Sequence, residues 1–228
     1  MDTDLRVILA GAGATGADHL RRLTERIGGA RVSAIAEPDP AHRSAALERA
    51  PGAVGYPGLV EALADRAGDA VLIAAPGPAH EPLLLAALAA GLPILCEKPL
   101  TPDAAAAVRV VAAEQAGGRR LIQVGFMRRF DPGYLALREL VADGGAGDLL
   151  MIHAAHRMAS VAADYRESMM VTDSLVHELD VLPWLAGAAL SSVQIRPSAQ
   201  VRHSRPGLAP VQLLATLTDG TAVDVELN

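Results

Sequence analysis

The chain has 228 residues, a formal net charge of −6, and a composition 51% apolar, 20% charged and 3% aromatic. So apolar a chain is not disordered, and an acidic one with few stacking rings is no nucleic-acid binder. Its single cysteine, Cys96, excludes an internal disulfide and suits a reducing compartment. At about 150 residues per domain, this length suggests one large domain or two small ones. The start is acidic, and the longest near-apolar stretch, Leu83 to Cys96, is broken by Gly91 and Pro93. It falls short of the roughly 20 residues of a bilayer helix. The reading is a cytoplasmic α/β protein without a membrane partner.

Apolar strands alternate with helices through the first half. Leu5–Ala10 reads as a strand, Ala17–Ile27 as a helix, Val32–Ala36 as a strand and Pro40–Ala50 as a helix. Val71–Ala75 is the third strand, Ala79–Ala90 a helix, Pro93–Cys96 the fourth strand, Pro102–Ala116 a helix and Leu121–Val124 the fifth strand. Such continuous apolar strands imply a parallel sheet covered by helices on both faces. The rhythm changes near Gly125. A helix at Pro132–Ala142, a strand near Leu149–Ala155 and a helix at Ser174–Ala186 lead into strands at Val193–Ile195, Val211–Leu217 and Thr221–Leu227. Thr218-Asp219-Gly220 is a hairpin signal. The expected division is a doubly wound domain over residues 1–124 and an α/β domain with a mostly antiparallel sheet over 125–228.

Gly11-Ala12-Gly13-Ala14-Thr15-Gly16 matches G-x-G-x-x-G. By itself the match describes any tight turn. Here it follows a strand, opens a helix and precedes Glu37 at the end of the second strand, the context of a dinucleotide site. The glycines admit a pyrophosphate to the helix N-terminus, and Glu37 suits the ribose hydroxyls. A carboxylate there favours NAD over NADP, although Arg31 and Arg43 lie nearby in sequence.

Three clusters offer chemistry. Lys98, in Cys96-Glu97-Lys98-Pro99-Leu100, sits at the carboxyl edge of the fourth strand, where open sheets bind ligands. It is either a solvated turn residue or a donor to a developing alkoxide. On an ideal α-helix, Asp173, His177, Asp180 and Trp184 fall within about 60° of arc, while Leu175, Leu179 and Leu182 point away. That stripe is either an exposed Asp–His pair with Asp173 as N-cap, or a base with its orienting carboxylate. One imidazole among carboxylates is a thin metal site, and no metal is expected. Gln123 to Asp131, with His153 and His156-Arg157 further on, is either a polar crossing between domains or a substrate wall.

Together these stretches resemble the Gfo/Idh/MocA oxidoreductases, and among them the inositol dehydrogenases. The carriers are Gly11–Gly16, Gly77-Pro78-Ala79-His80-Glu81, Glu97-Lys98-Pro99, Gly125-Phe126-Met127-Arg128-Arg129, His156-Arg157 and Asp173-Ser174-x-x-His177-Glu178-x-Asp180. The resemblance implies a Rossmann domain that binds NAD through Gly11, Gly13, Ala14, Thr15, Gly16, Glu37, Ala75, Pro76, His80, Glu97 and Lys98. It implies Lys98, Asp173 and His177 as catalytic residues, and Met127, Arg128, His156 and Asp180 beside them against a small polyol. It further implies oxidation of a secondary hydroxyl, of myo-inositol first, in a homo-oligomer that is usually a tetramer. The alternatives are another inositol isomer or sugar, and an NAD-binding protein without turnover.

Two departures stand out. Met158 occupies the position after His-Arg where the inositol type usually has Asn, and Pro76 replaces a bulkier residue. Relatives also continue for roughly another third of their length, so an incomplete second domain is expected.

Overall fold

Strands buried on both faces must be mainly apolar, and those of the first half are, with Arg6, Arg31, Ser33 and Gln123 among the exceptions. The computed structural model describes residues 4–145, 147–158, 165, 169–197 and 210–227. By Cα packing it divides into two units, Met1–Gly125 and Phe126–Asn228.

The first unit contains β1 (Leu5–Ala10), β2 (Ala30–Ala36), β3 (Val54–Tyr56), β4 (Ala70–Ile73), β5 (Ile94–Cys96) and β6 (Ile122–Val124). They form one sheet in the order β3-β2-β1-β4-β5-β6, with every pairing parallel. This is the doubly wound order, whose direction reverses between β1 and β4. A ligand crevice opens there, beyond the carboxyl ends of the strands.

Five helices cover the sheet: α1 (Ala14–Glu25), α2 (Pro40–Glu48), α3 (Leu59–Ala64), α4 (His80–Ala89) and α5 (Ala104–Ala116). Alternation along β1 divides the core. Val7 and Leu9 pack with Leu20 of α1 and Ala46 of α2. Ile8 and Ala10 pack with Leu59 of α3, Leu84 of α4 and Val110 of α5.

β3 and α3 are absent from the sequence reading because β3 has Gly55 at its centre, which breaks the apolar run, and α3, at six residues, is shorter than two helical turns. Helix α1 starts at Ala14, not Ala17, because the Gly-rich turn is itself its first turn. Asp39 caps α2, its carboxylate accepting from the Ala41 and His42 amides at 2.8 and 2.9 Å. Asp103 does the same for α5.

In the second unit β7 (Met151–His156), β8 (Leu190–Pro197), β9 (Val211–Leu217) and β10 (Ala222–Leu227) lie in the order β7-β10-β9-β8. The last two pairings are antiparallel and β7–β10 is parallel, so the sheet is mixed. Val211, Leu213, Ala215 and Leu217 alternate inward with Val223, Val225 and Leu227. They meet Val181, Leu182 and Leu185 of α7 (Val176–Ala186). Helix α6 (Pro132–Ala142) matches its expected bounds and is capped by Asp131. The predicted hairpin is present, with Gly220 in the left-handed region at φ +93°.

One expectation fails. Residues Ser174–Ala186 do not form a single α-helix, because Met170–Leu175 is a π-helical turn and α-helical geometry begins at Val176. Met170 and Leu175, five residues apart, are both buried in the same cluster. At α-helical pitch residues so spaced point well over a right angle apart, and the wider turn brings them to one side. The arc drawn from Asp173 on an ideal helix therefore does not describe this segment.

Candidate active site

The glycines of the first turn separate into two kinds. Gly11 has φ +96°, and a Cβ there would lie 2.7 Å from the Ala75 nitrogen. A Cβ on Gly16 would lie 2.1 Å from the Gly11 carbonyl oxygen. The fold itself requires both. Gly13 has an extended backbone that any residue adopts, and a Cβ there would meet nothing within 4 Å. The chain does not need glycine at that position, but a ligand lying against the backbone does.

The space above Gly13 belongs to a cavity of about 610 Å³. Of the expected cofactor residues, Gly11, Gly13, Ala14, Thr15, Glu37, Ala75 and Pro76 line it. His42, Pro57 and Gly58 line it as well, and no sequence signal marked them. The N-terminus of α1, with no side-chain cap and no acid in its first turn, opens on this cavity. Uncapped amides and the positive helix end suit a phosphate.

Glu37 is buried, its Oε2 accepting from the Ala12 amide at 2.7 Å and its Oε1 from the Asp39 amide at 2.9 Å. It pins the glycine turn to the end of β2, and each oxygen keeps a further lone pair for a ribose hydroxyl. Arg43 donates to the Glu37 main-chain carbonyl. The bare Gly13, the uncapped helix and the buried carboxylate fit a dinucleotide.

Other expected cofactor residues lie outside this cavity. His80 is 1% exposed, with Nδ1 2.8 Å from the Pro99 carbonyl oxygen and Nε2 2.8 Å from that of Ala75. It stands behind the cavity wall and ties the loop after β4 to the segment carrying Lys98. Burial, with the Glu97 charge adding to it, pushes the Cys96 thiol up to about 12, so Cys96 is an inert core residue.

Glu97 Oε1 lies 2.8 Å from His19 Nε2 on α1, and Oε2 accepts from the Lys98 amide at 3.3 Å. These contacts anchor the turn that bears Lys98. The His19 hydrogen bond is the main cause holding the Glu97 carboxyl below its ordinary range, against desolvation. A lowered carboxyl pKa adds stability that is complete above the unfolded value and lost as pH falls through the folded one. His19→Ala should therefore lower the melting temperature at pH 6, and the difference from wild type should shrink at pH 3.

The second unit gathers a polar cluster behind Phe126, whose ring meets His177 edge-on with centroids 6.4 Å apart. Glu178, which the sequence reading left unassigned, is 3% exposed. Its Oε1 accepts from Arg128 Nη1 at 2.6 Å and lies 3.1 Å from His156 Nδ1. Asp180 pairs with Arg129, whose Nε donates to Oδ2 at 2.9 Å. Met127, on the same short turn as Arg128, is largely exposed.

His177 is buried and Asp173 lies in the π turn. Met158 packs against the core of this unit, and its sulfur accepts from the Ser174 hydroxyl at 3.3 Å. That hydroxyl is also 2.9 Å from the Tyr165 hydroxyl. The Met158 departure thus belongs to packing beneath the π turn. Among the described residues no helix is long and apolar enough to cross a membrane.

Two family profiles cover most of this chain. The one described as "Oxidoreductase family, NAD-binding Rossmann fold" matches residues 5–126, and the GFO/IDH/MocA C-terminal domain matches residues 134–228. The chain belongs to the Gfo/Idh/MocA oxidoreductase family. Inositol 2-dehydrogenase of Corynebacterium glutamicum strain R is 52% identical over 229 residues, covering 100% of this chain and 68% of its own length. Inositol 2-dehydrogenase of Leifsonia xyli subsp. xyli is 53% identical over 226 residues, covering 99% of this chain and 66% of its own. This family member thus spans about two thirds of such relatives. The crystal structure of myo-inositol dehydrogenase from Lactobacillus casei, in complex with NAD(H) and myo-inositol, superposes with a TM-score of 0.94. It is 36% identical, and the match covers 99% of this chain and 67% of that one.

Proposed function

We propose that this protein oxidises a secondary hydroxyl of a cyclic polyol with NAD, and that myo-inositol is the substrate, giving the 2-ketone. The supporting observation is the likeness over 99% of the chain to a structure holding both NAD(H) and myo-inositol. The cavity over Gly13 is the nucleotide end of this reading. Glu37 presents a carboxylate there, which favours a free ribose 2′-hydroxyl over a phosphate by charge.

The reaction removes a hydride from carbon and a proton from its oxygen. NAD, when bound, supplies the hydride acceptor. His177 takes the hydroxyl proton, because an imidazole exchanges protons near neutral pH. Asp173 orients that ring and stabilises its cationic form, and Lys98 stabilises the alkoxide-like oxygen. Arg128, His156 and Asp180 hold the remaining hydroxyls and so aim the reacting C–H bond. The same reading places the protein in the cytoplasm, as a homotetramer engaged in inositol breakdown.

The test measures NADH formation from myo-inositol, scyllo-inositol and glucose with NAD and NADP, beside a fluorescence titration with NADH. Turnover of myo-inositol with NAD is the expected result. NADH binding with no turnover of any of the three would replace this reading by that of a nucleotide-binding protein.

A further inference from the structure

Glu178, buried and bonded to Arg128 and His156, lies outside the residues expected to touch the substrate. Its side chain is 4% exposed, whereas those of Arg128 and His156, both bonded to its Oε1, are 18% and 20% exposed. One buried carboxylate therefore stands behind two partly exposed groups brought from different segments, the turn after Phe126 and the end of β7. Tyr134 lies beneath the same guanidinium, 5.8 Å from ring centroid to Cζ. Glu178 Oε2 is buried with no hydrogen-bond partner among the described residues, so this carboxylate's hydrogen bonds there are those of Oε1 with Arg128 and His156.

This arrangement has two consequences. The Arg128 charge is cancelled from behind, while guanidinium N–H groups not used by Glu178 remain to donate. In a neutral ring, an Nδ1 that donates to Glu178 leaves Nε2 as an acceptor. With that ring neutral, Arg128, His156 and Glu178 together carry no net charge and offer donors and an acceptor, which matches hydroxyls that both give and accept. Arg129, next in the chain to Arg128, likewise pairs with Asp180.

We propose that Glu178 is the residue that restricts this site to uncharged polyols: it neutralises Arg128 and fixes the His156 tautomer, so that a carboxylated or phosphorylated sugar gains nothing from the guanidinium. The proposal rests on the polyol reading above for its natural ligand, but its charge argument stands by itself.

The experiment compares wild type, Glu178→Gln, Glu178→Asp and the double variant Arg128→Gln/Glu178→Gln, each saturated with NADH. Calorimetry measures the affinity for myo-inositol and for glucuronate, a six-carbon sugar carrying a carboxylate. Glu178→Gln should shift the ratio of affinities towards glucuronate by about tenfold or more, with NADH affinity unchanged. Glu178→Asp, which keeps the charge, should restore much of the wild-type ratio, and the double variant should lose the gained glucuronate affinity. A role in packing alone would move none of these ratios. An unchanged ratio in Glu178→Gln overturns the proposal. Should that variant fail to fold, Arg128→Gln in the wild-type background decides: glucuronate affinity equal to that of the double variant overturns it, and a lower one supports it. Failure of wild type to bind myo-inositol would remove the polyol reading, and the glucuronate gain would still decide the role of Glu178.

Discussion

His177→Ala is expected to lower kcat for polyol oxidation by about 10²–10⁴-fold, the usual worth of a positioned proton acceptor. NADH affinity should stay within about twofold, because every residue lining the nucleotide cavity lies between Ala10 and Leu83. His177 is 8% exposed, so truncation also leaves a small void beside Phe126. His177→Gln, which keeps polar bulk but cannot exchange a proton near neutrality, separates the two effects. If the void caused the loss, the glutamine variant would recover; if proton transfer caused it, both variants stay slow. Turnover unchanged in both variants would end the assignment of His177 as base.

The first unit was legible because its signals are local. Strand–turn–helix order, the spacing of Gly11, Gly13 and Gly16 and an acid at the end of β2 are all written along one stretch of chain. The omitted parts differ: β3 carries Gly55 at its centre, and α3 is shorter than two helical turns, so neither shows a strand or helix pattern. His42, Pro57 and Gly58 reach the cavity only because β2 and β3 end side by side, a fact of sheet order that no local pattern carries.

The second unit was less legible for a different reason. One ideal helix would set Asp173, His177 and Asp180 on a single stripe, and the π turn at Met170–Leu175 breaks that helix between the first residue and the second. Glu178 went unread because it follows His177 directly and so points to another side of the helix. Its partners, Arg128 and His156, are 50 and 22 residues away. Buried polar clusters of this kind are tertiary objects. Residue type hints at them, since an acid in a helix otherwise rich in Leu, Val and Trp needs a partner, but it does not say which partner.

The glycines of the first turn allow a test in which folding and ligand binding move in opposite directions. Gly16→Ala drives a Cβ to 2.1 Å from a main-chain oxygen that cannot swing aside. It should cost about 3 kcal/mol, the upper range for overpacking, and lower the melting temperature by several degrees. Gly13→Ser adds a side chain where nothing of the chain lies within 4 Å, on a backbone of φ −66° and ψ −167° that serine adopts without strain. Serine is a better N-cap than glycine, and its hydroxyl reaches the first-turn amides of α1, so the melting temperature should hold or rise. The same hydroxyl occupies the amides and the space that a pyrophosphate would use. NADH affinity should therefore fall by tenfold or more in the more stable protein. A Gly13→Ser variant that binds NADH as wild type does would show that the bare backbone at Gly13 is not where the phosphates lie, and the anion site at the start of α1 would have to be abandoned.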